Sequence, residues 1–239
     1  SQSLLTFTHR LHPTLTQRKF PNQMKSLGEI VIVGNGGHAS SVAEAASSHG
    51  FEVDCLLDTS EVSSGRDFVA LLSALKKFDL SSTSLAMGLG TNHLRSMAFE
   101  RIQSIFPEAQ FPMVIHSSAW VSLTASLGQG AVVLAQASVG SGSTLGVGAL
   151  INTGASLDHD STLGDFASLG PGARTGGNAL IGPRTMLGLQ AGILQGRTIG
   201  EDTVVGAHSL VVEDIPPLSV AMGTPCRVTR SREWDENYY

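Results

Sequence analysis

His159 and Asp160 stand side by side in the segment Leu157-Asp158-His159-Asp160, and an imidazole next to a carboxylate suits proton transfer. The ring has an ordinary pKa of about 6.5, so at neutral pH it can accept a proton from an attacking hydroxyl or amine. A neighbouring carboxylate can fix its tautomer and stabilise the imidazolium, a role for which Asp158 competes with Asp160. The plain alternative is an ordinary surface histidine. A second candidate lies upstream, where Gly34-Asn35-Gly36-Gly37-His38 joins a strand pattern to a helix pattern. Glycines there allow close backbone approach, and a helix N-terminus offers free N–H groups and partial positive charge to a phosphate. Asp58, 24 residues after Gly34 and at the tip of the next strand, is placed for a ribose or base contact. Such a glycine turn alone can also be a mere connection. Neither Cys55, within a strand pattern, nor Cys226, in the tail, is placed as a nucleophile, so direct attack without an acyl-enzyme is expected.

The element that must carry His159 announces itself by its period. Every sixth residue from Ile115 to Val211 is aliphatic, with Thr175 the single exception, and four residues after nearly every member comes a small side chain, as at Ala137, Ser143, Ala155 and Ser161. Arg197 is the one large intruder in that second column. A helix repeats at about 3.6 residues and a simple strand at 2, so a period of six requires short straight segments joined by regular corners. This is the hexapeptide β-helix pattern, in which about 18 residues make one triangular coil. The run holds about five coils stacked at ~4.8 Å. Glycine follows the aliphatic position at Gly128, Gly140, Gly146, Gly164, Gly170, Gly176, Gly182, Gly188, Gly200 and Gly206, which is read as a corner needing an unusual backbone angle. The aliphatic column fills the prism, so bulky polar residues must point outward. His159 and Asp160, two and three places after the inward Leu157, are therefore expected on the outer wall, the histidine above all.

Before the prism the pattern alternates: strand Ile30–Val33, helix from about Ala39 to Ser48, strand Phe51–Leu57, helix around Asp67–Lys77, strand near Leu85–Leu89, helix Asn92–Ile105, strand Phe111–Ile115. Alternation at this spacing predicts an α/β, Rossmann-like domain with a parallel sheet of about four strands, one mononucleotide-binding half. A nucleotide-linked substrate is favoured over a full dinucleotide cofactor. The expected organisation is an extension over residues 1–28, a nucleotide-binding domain over 29–114 and a β-helix with its tail over 115–239. Residues 1–28 carry four cations, no acid and many Ser and Thr, which suits either a disordered or non-native extension, with Met24 a plausible start, or a transit peptide.

Both patterns together resemble the sialic acid O-acetyltransferase type family of sugar O- and N-acetyltransferases, whose members acetylate UDP-linked 4-amino sugars and GDP-perosamine. The resemblance rests on Ile30–His38 (IVIVGNGGH), Met87–Arg95 (MGLGTNHLR), Val114–Ala119 (VIHSSA), Leu150–Gly182 and Met222–Pro225 (MGTP). It implies a left-handed parallel β-helix and a homotrimer with sites between neighbouring prisms. The implied reaction is acetyl transfer from acetyl-CoA, as co-substrate, to a hydroxyl or amine of a nucleotide-activated sugar. By the same resemblance His159 is the catalytic base, supported by Asp160, and Gly177 offers a main-chain contact to the acetyl-CoA arm. Pantetheine would run along backbone groups of Gly188, Leu189, Gly206 and Ala207. Asn152 would lie near the acceptor, Gly36, Gly37 and His38 on the diphosphate, and Asp58 on base or ribose. His116 is expected to cap the domain junction and His208 to lie beside the cofactor groove. The family's amino-sugar enzymes carry a second histidine shortly after the first, where this chain has Ala167 and Ser168, so nitrogen and oxygen acceptors both stay open. Ser168 is kept as a substrate donor.

Charge and composition prune other classes. A net charge of -5 speaks against a nucleic-acid partner, and two distant cysteines suit a reducing cytosol. No apolar run approaches the ~20 residues of a membrane span. A β-helix metalloenzyme would need three convergent imidazoles, yet His116, His159 and His208 are spaced 43 and 49 residues apart, so no metal site is expected. The remaining rival is a non-catalytic nucleotide-sugar sensor or scaffold on the same two domains.

Overall fold

The computed structural model describes residues 26–59 and 68–237. Its first part runs β1 (Glu29–Val33), α1 (Gly37–His49), β2 (Glu52–Leu57), α2 (Val69–Leu75), β3 (Ser84–Met87) and α3 (Asn92–Ile105). The apolar run of β1 is buried from Ile30 to Val33 because this strand lies in the centre, between β2 and β3 and parallel to both. Among the described residues the sheet has three strands, not the four expected. Val114–Ile115 pairs instead with Val132–Val133, in the prism. Only the Gln110 carbonyl, accepting from Leu85 N–H at 2.8 Å, reaches the open edge of β3. The expected helix over Asp67–Lys77 is shorter, and Asp67 lies outside the described residues, as do residues 1–25 of the extension. Leu27 and Gly28 are tied to Gly50 and Glu52 by backbone bonds.

From Val114 onward eighteen short parallel strands, three to a coil, build a prism of six coils. The first face carries Val114–Ile115, Val132–Val133, Leu150–Ile151, Ser168–Leu169, Met186–Leu187, Val204–Val205 and Ser219–Met222. The second carries Trp120–Val121, Ser138–Val139, Ser156–Leu157, Arg174–Thr175, Gly192–Ile193 and Leu210–Val211. The third carries Ser126–Leu127, Thr144–Leu145, Thr162–Leu163, Leu180–Ile181 and Thr198–Ile199. The count exceeds the expected five because the chain leaves register after Val211 and comes back, with Ile215 bridging to Ile199 and Ser219–Met222 completing the first face. Arg227–Ser231 then adds an antiparallel edge strand. The aliphatic column and the small column form one buried core from Ala131 to Ala221.

The glycines after the column have another cause than the one expected. None of the ten has a positive φ; that conformation falls two places later, at Gly130, Gly142 and Gly148 and also at Gln136, Asp160, Asn178 and His208. What excludes a side chain at Gly128, Gly140 or Gly182 is the next coil. A Cβ there would sit 2.5–2.6 Å from the backbone of Gly146, His159 or Glu201. Stacking at ~4.8 Å leaves no room for it.

The α/β part is seated on the first face. Outward residues Val132 and Leu150, with Leu134 and Val114, share a core with Ile30, Ile32 and α1. On the other side of the sheet, Phe166 packs with Phe99 and Phe111. Arg95 of α3 is 1% exposed and donates to the carbonyls of Leu89, Gly90, Gly148 and Phe166 and to Asn92 Oδ1. A buried cation is tolerated here because carbonyl dipoles replace its water. The junction expected at His116 is made by neighbours: His49 Nδ1 accepts from Ile115 N–H and Ser48 Oγ from Ser117 N–H, whereas His116 binds within its own turn at Ser118. Arg95→Leu keeps the bulk but leaves those carbonyls buried without donors. A loss of about 3 kcal/mol is expected, read as a lower urea midpoint; an unchanged midpoint would show that the cage is not structural.

Candidate active site

The turn that holds His159 lies at the corner between the second and third faces, where the chain leaves Leu157 and before it enters Thr162. Asp160 takes the left-handed corner conformation, φ 56°, which a short polar side chain tolerates. Both side chains project from the wall, 60% and 67% exposed, as the filled interior requires. Asp160 Oδ2 lies 2.8 Å from His159 Nδ1. A carboxylate only accepts, so Nδ1 carries the proton and Nε2 presents its lone pair. The His159 pKa is raised, first by the Asp160 hydrogen bond, then by the charge of Asp158. Asp158 also takes part directly, its Oδ1 accepting from the His159 N–H at 2.8 Å.

The ring lies across the next coil at Gly177. A Cβ on that residue would fall on His159 Nε2 and Cε1, so Gly177 is the seat of the imidazole. Its φ is not positive, so glycine is required there for space and not for an unusual backbone angle. Its N–H has no acceptor among the described residues. This follows a rule of the prism. The first residue after each column member spends its N–H on the coil below, and the third spends its own on the coil above. Amides of second residues such as Gly177, Leu189 and Ala207 are left over. Gly188 and Gly206 are first residues: their N–H groups donate to Val205 and Ala221, and their carbonyls accept from Ala191 and Ser209. They supply close approach for a chain such as pantetheine, but no donor.

The predicted residues do not all meet in one chain. Asn152, Gly188, Leu189, Gly206 and Ala207 lie at the corner between first and second faces, one side of the prism away from His159 and Gly177. A side of six residues spans at most ~20 Å. Asn152 Oδ1 accepts from Thr153 N–H within its turn. Ser168 stands on the first face, 2% exposed, and donates to Asn92 Oδ1 at the junction, so it is not a donor on the outer wall near His159. His208 is exposed beside Ala207.

The glycine turn sits above the first face. Gly34, φ 135°, and Gly88 pack back to back, a Cβ on Gly34 coming 2.8 Å from Gly88 O, and this brings the ends of β1 and β3 against Ala39 of α1. Gly36 and Gly37 are exposed at the helix N-terminus, and Asp58 is exposed at the end of β2. His38 is pushed down to about 4 by burial and then by Arg95, so at neutral pH its ring is neutral and offers one N–H donor. Burial pushes the Cys55 thiol up to about 11 and also raises that of Cys226, so neither is a ready thiolate. Among the described residues no three His, Cys, Asp or Glu cluster as metal ligands, and no helix is long and apolar enough to cross a membrane. The sequence reading missed Asn92 and Arg95 as junction residues, and the hydrogen bond from Asp158 N–H to the Thr175 hydroxyl, although Thr175 was visible as the one break in the column.

A profile of the PglD N-terminal domain matches residues 29–102. The chain superimposes on a histidine-to-alanine variant of GDP-perosamine N-acetyltransferase from Caulobacter crescentus, in complex with CoA and GDP-perosamine, with TM-score 0.77 and 33% identity over 86% of this chain and 99% of that one. The acetyltransferase domain of PglB from Neisseria gonorrhoeae, in complex with acetyl coenzyme A, gives 0.76 and 31% over 84% and 98%. Galactoside O-acetyltransferase of Escherichia coli is 53% identical over 45 residues, 18% of this chain, and the matched segment spans only 22% of that relative. Two domains in the same order, with 33% identity over nearly the whole of a solved relative, show that this chain belongs to the hexapeptide-repeat sugar acetyltransferases with a PglD-type N-terminal domain and is an acyltransferase.

Proposed function

We propose that the protein transfers an acetyl group from acetyl-CoA to an amine or hydroxyl of a nucleotide-activated sugar, with His159 as general base. The observation that carries this is the exposed imidazole with Nδ1 held by Asp160 and Nε2 over Gly177. In the proposed step His159 Nε2 takes the proton as the acceptor attacks the thioester carbon, and returns it to the departing sulfur. Gly177 N–H, an amide outside the ladder, is suited to the oxygen that gains charge. Leu189 and Ala207 N–H are suited to amides of the pantetheine arm, with Gly188 and Gly206 letting it approach.

The acceptor's nucleotide would lie on Gly36, Gly37, His38 and Asp58. This turn sits over the first face, whereas His159 occupies the one corner that does not border that face, so a single chain holds the two groups apart. A homotrimer with each site between neighbouring prisms would unite one chain's His159 with a neighbour's Asn152, Leu189 and Ala207 corner. The known complexes of the Caulobacter relative with CoA and GDP-perosamine support this substrate class.

His159→Ala should lower acetyl transfer by about 10²-fold or more, measured as CoA release over a panel of UDP- and GDP-linked 4-amino sugars and free sialic acid. Retained nucleotide-sugar binding with no transfer by the unaltered protein would favour the scaffold instead. Because the raised pKa reflects a stabilised imidazolium, the base is competent only above it, and kcat/KM should fall as pH drops through it. Asp160→Asn removes the main cause, so the acid limb should move to lower pH. A limb that stays in place would exclude His159 as the titrating base.

A further inference from the structure

Along the prism, from His116 to Leu194, the residue after each column member donates its N–H to the backbone carbonyl of the column member in the next coil. Asp158 is the exception: its N–H goes 2.8 Å to the side-chain hydroxyl of Thr175. The strand pair there keeps only one partner couple, Ser156 with Arg174, where each other parallel strand pair of the prism keeps two. Thr175 is the one polar member of the aliphatic column, and it stands beneath Leu157, one residue before the turn that carries His159.

Two further hydroxyls reach the same turn from inside. Ser143 Oγ donates to Asp158 O at 2.6 Å, and Ser161 Oγ lies 3.3 Å from both His159 O and Gly176 O. In the small column of this corner the two serines sit only in these coils, with Ala125 before them and Ala179 after. With Asp158 Oδ1 on the His159 N–H and Asn178 N–H on the His159 carbonyl, every backbone polar group of Asp158 and His159 is tied down.

Resting on the assignment of His159 as base, we propose that Thr175, with Ser143 and Ser161, is a positioning residue that sets the 158–159 peptides from within the prism and so holds the imidazole over Gly177. None of the three touches a reacting atom. A valine at 175 has nearly the same shape and suits the aliphatic column, but it cannot accept from Asp158 N–H; the ladder bond to the carbonyl can then re-form and carry Asp158 and His159 with it.

Thr175→Val should therefore leave the melting temperature equal or higher while kcat falls about 10-fold or more, since a displacement near 1 Å can cost up to about 10²-fold. KM for both substrates should stay within about twofold by the same argument, because neither is touched. The acid limb of kcat should move to lower pH as Asp158 swings from the ring. Thr175→Ser should recover most of kcat. Ser143→Ala gives a second test, with a smaller fall of the same kind. A Thr175→Val enzyme with kcat and pH limb unchanged, or with its loss confined to KM, overturns the proposal. His159→Ala run alongside separates the two readings: if it is inactive while Thr175→Val is normal, only the positioning role fails, and if it is active the base assignment fails.

Discussion

Stacking of successive coils through backbone hydrogen bonds is the constraint from which the rest follows. At ~4.8 Å between coils, a side chain at first corner places such as Gly128, Gly140 and Gly182 would collide with the backbone below, so glycine collects there for lack of space. The second place keeps its amide out of the ladder, and the third takes a positive φ that Asp160, Asn178 and His208 accept. A side chain leaves the wall most freely at the second and third corner places, and spare amides fall at the second, although Asn152 and Asp158 show that a first place can also carry a polar side chain. His159 and Gly177 both occupy second places, one coil apart, so the imidazole and an uncommitted N–H are stacked by the fold itself.

The corner of His159 departs from this regularity at one bond, Asp158 N–H to the Thr175 hydroxyl. A wall built only of aliphatic and alanine columns has no means of adjusting one turn relative to the others. Hydroxyls inside the prism can replace a carbonyl or bind one without adding volume; Thr185 and Thr203 do the latter at another corner, and at the His159 corner a column residue, Thr175, also takes the ladder N–H of Asp158. A buried hydroxyl is costly unless it is hydrogen-bonded, and Ser143, Ser161 and Thr175 all find partners in the turn that holds His159 or just beneath it.

Much of this was legible from residues alone because the environment repeats. A period of six gives every position the same neighbours, so inward Leu157 fixed outward His159, and the ends of α3 agree with the pattern Asn92–Ile105. Other features depend on three dimensions. Val114–Ile115 has the same apolar character whether it closes the first sheet or opens the prism. Ser168 lies nine residues after His159, one and a half sides around the prism, so nearness in sequence put it on a different face. The reason for the corner glycines was misread because close approach and positive φ select the same residue. Gly188 and Gly206 were expected to make backbone contacts to pantetheine, but whether an amide is spare depends on which coil lies beneath it.

Two histidines with the same ordinary pKa are driven apart by their settings, and this supports a division of labour. His38 is pulled down by burial and by Arg95, the cation that also clamps the loop after β3 to the prism, so it stays neutral and can donate to a phosphate without titrating. His159 is pushed up by two carboxylates in open solvent, so it holds a proton more readily while keeping Nε2 clear. Exchanging their environments would spoil both proposed roles: a histidine depressed to about 4 is a poor base, and a raised one at the glycine turn would make the binding of any anion there follow pH. Because the shared core of Ile30, Val132 and Leu150 fixes the glycine turn to the first face, the separation between the two histidines within one chain is set by the fold.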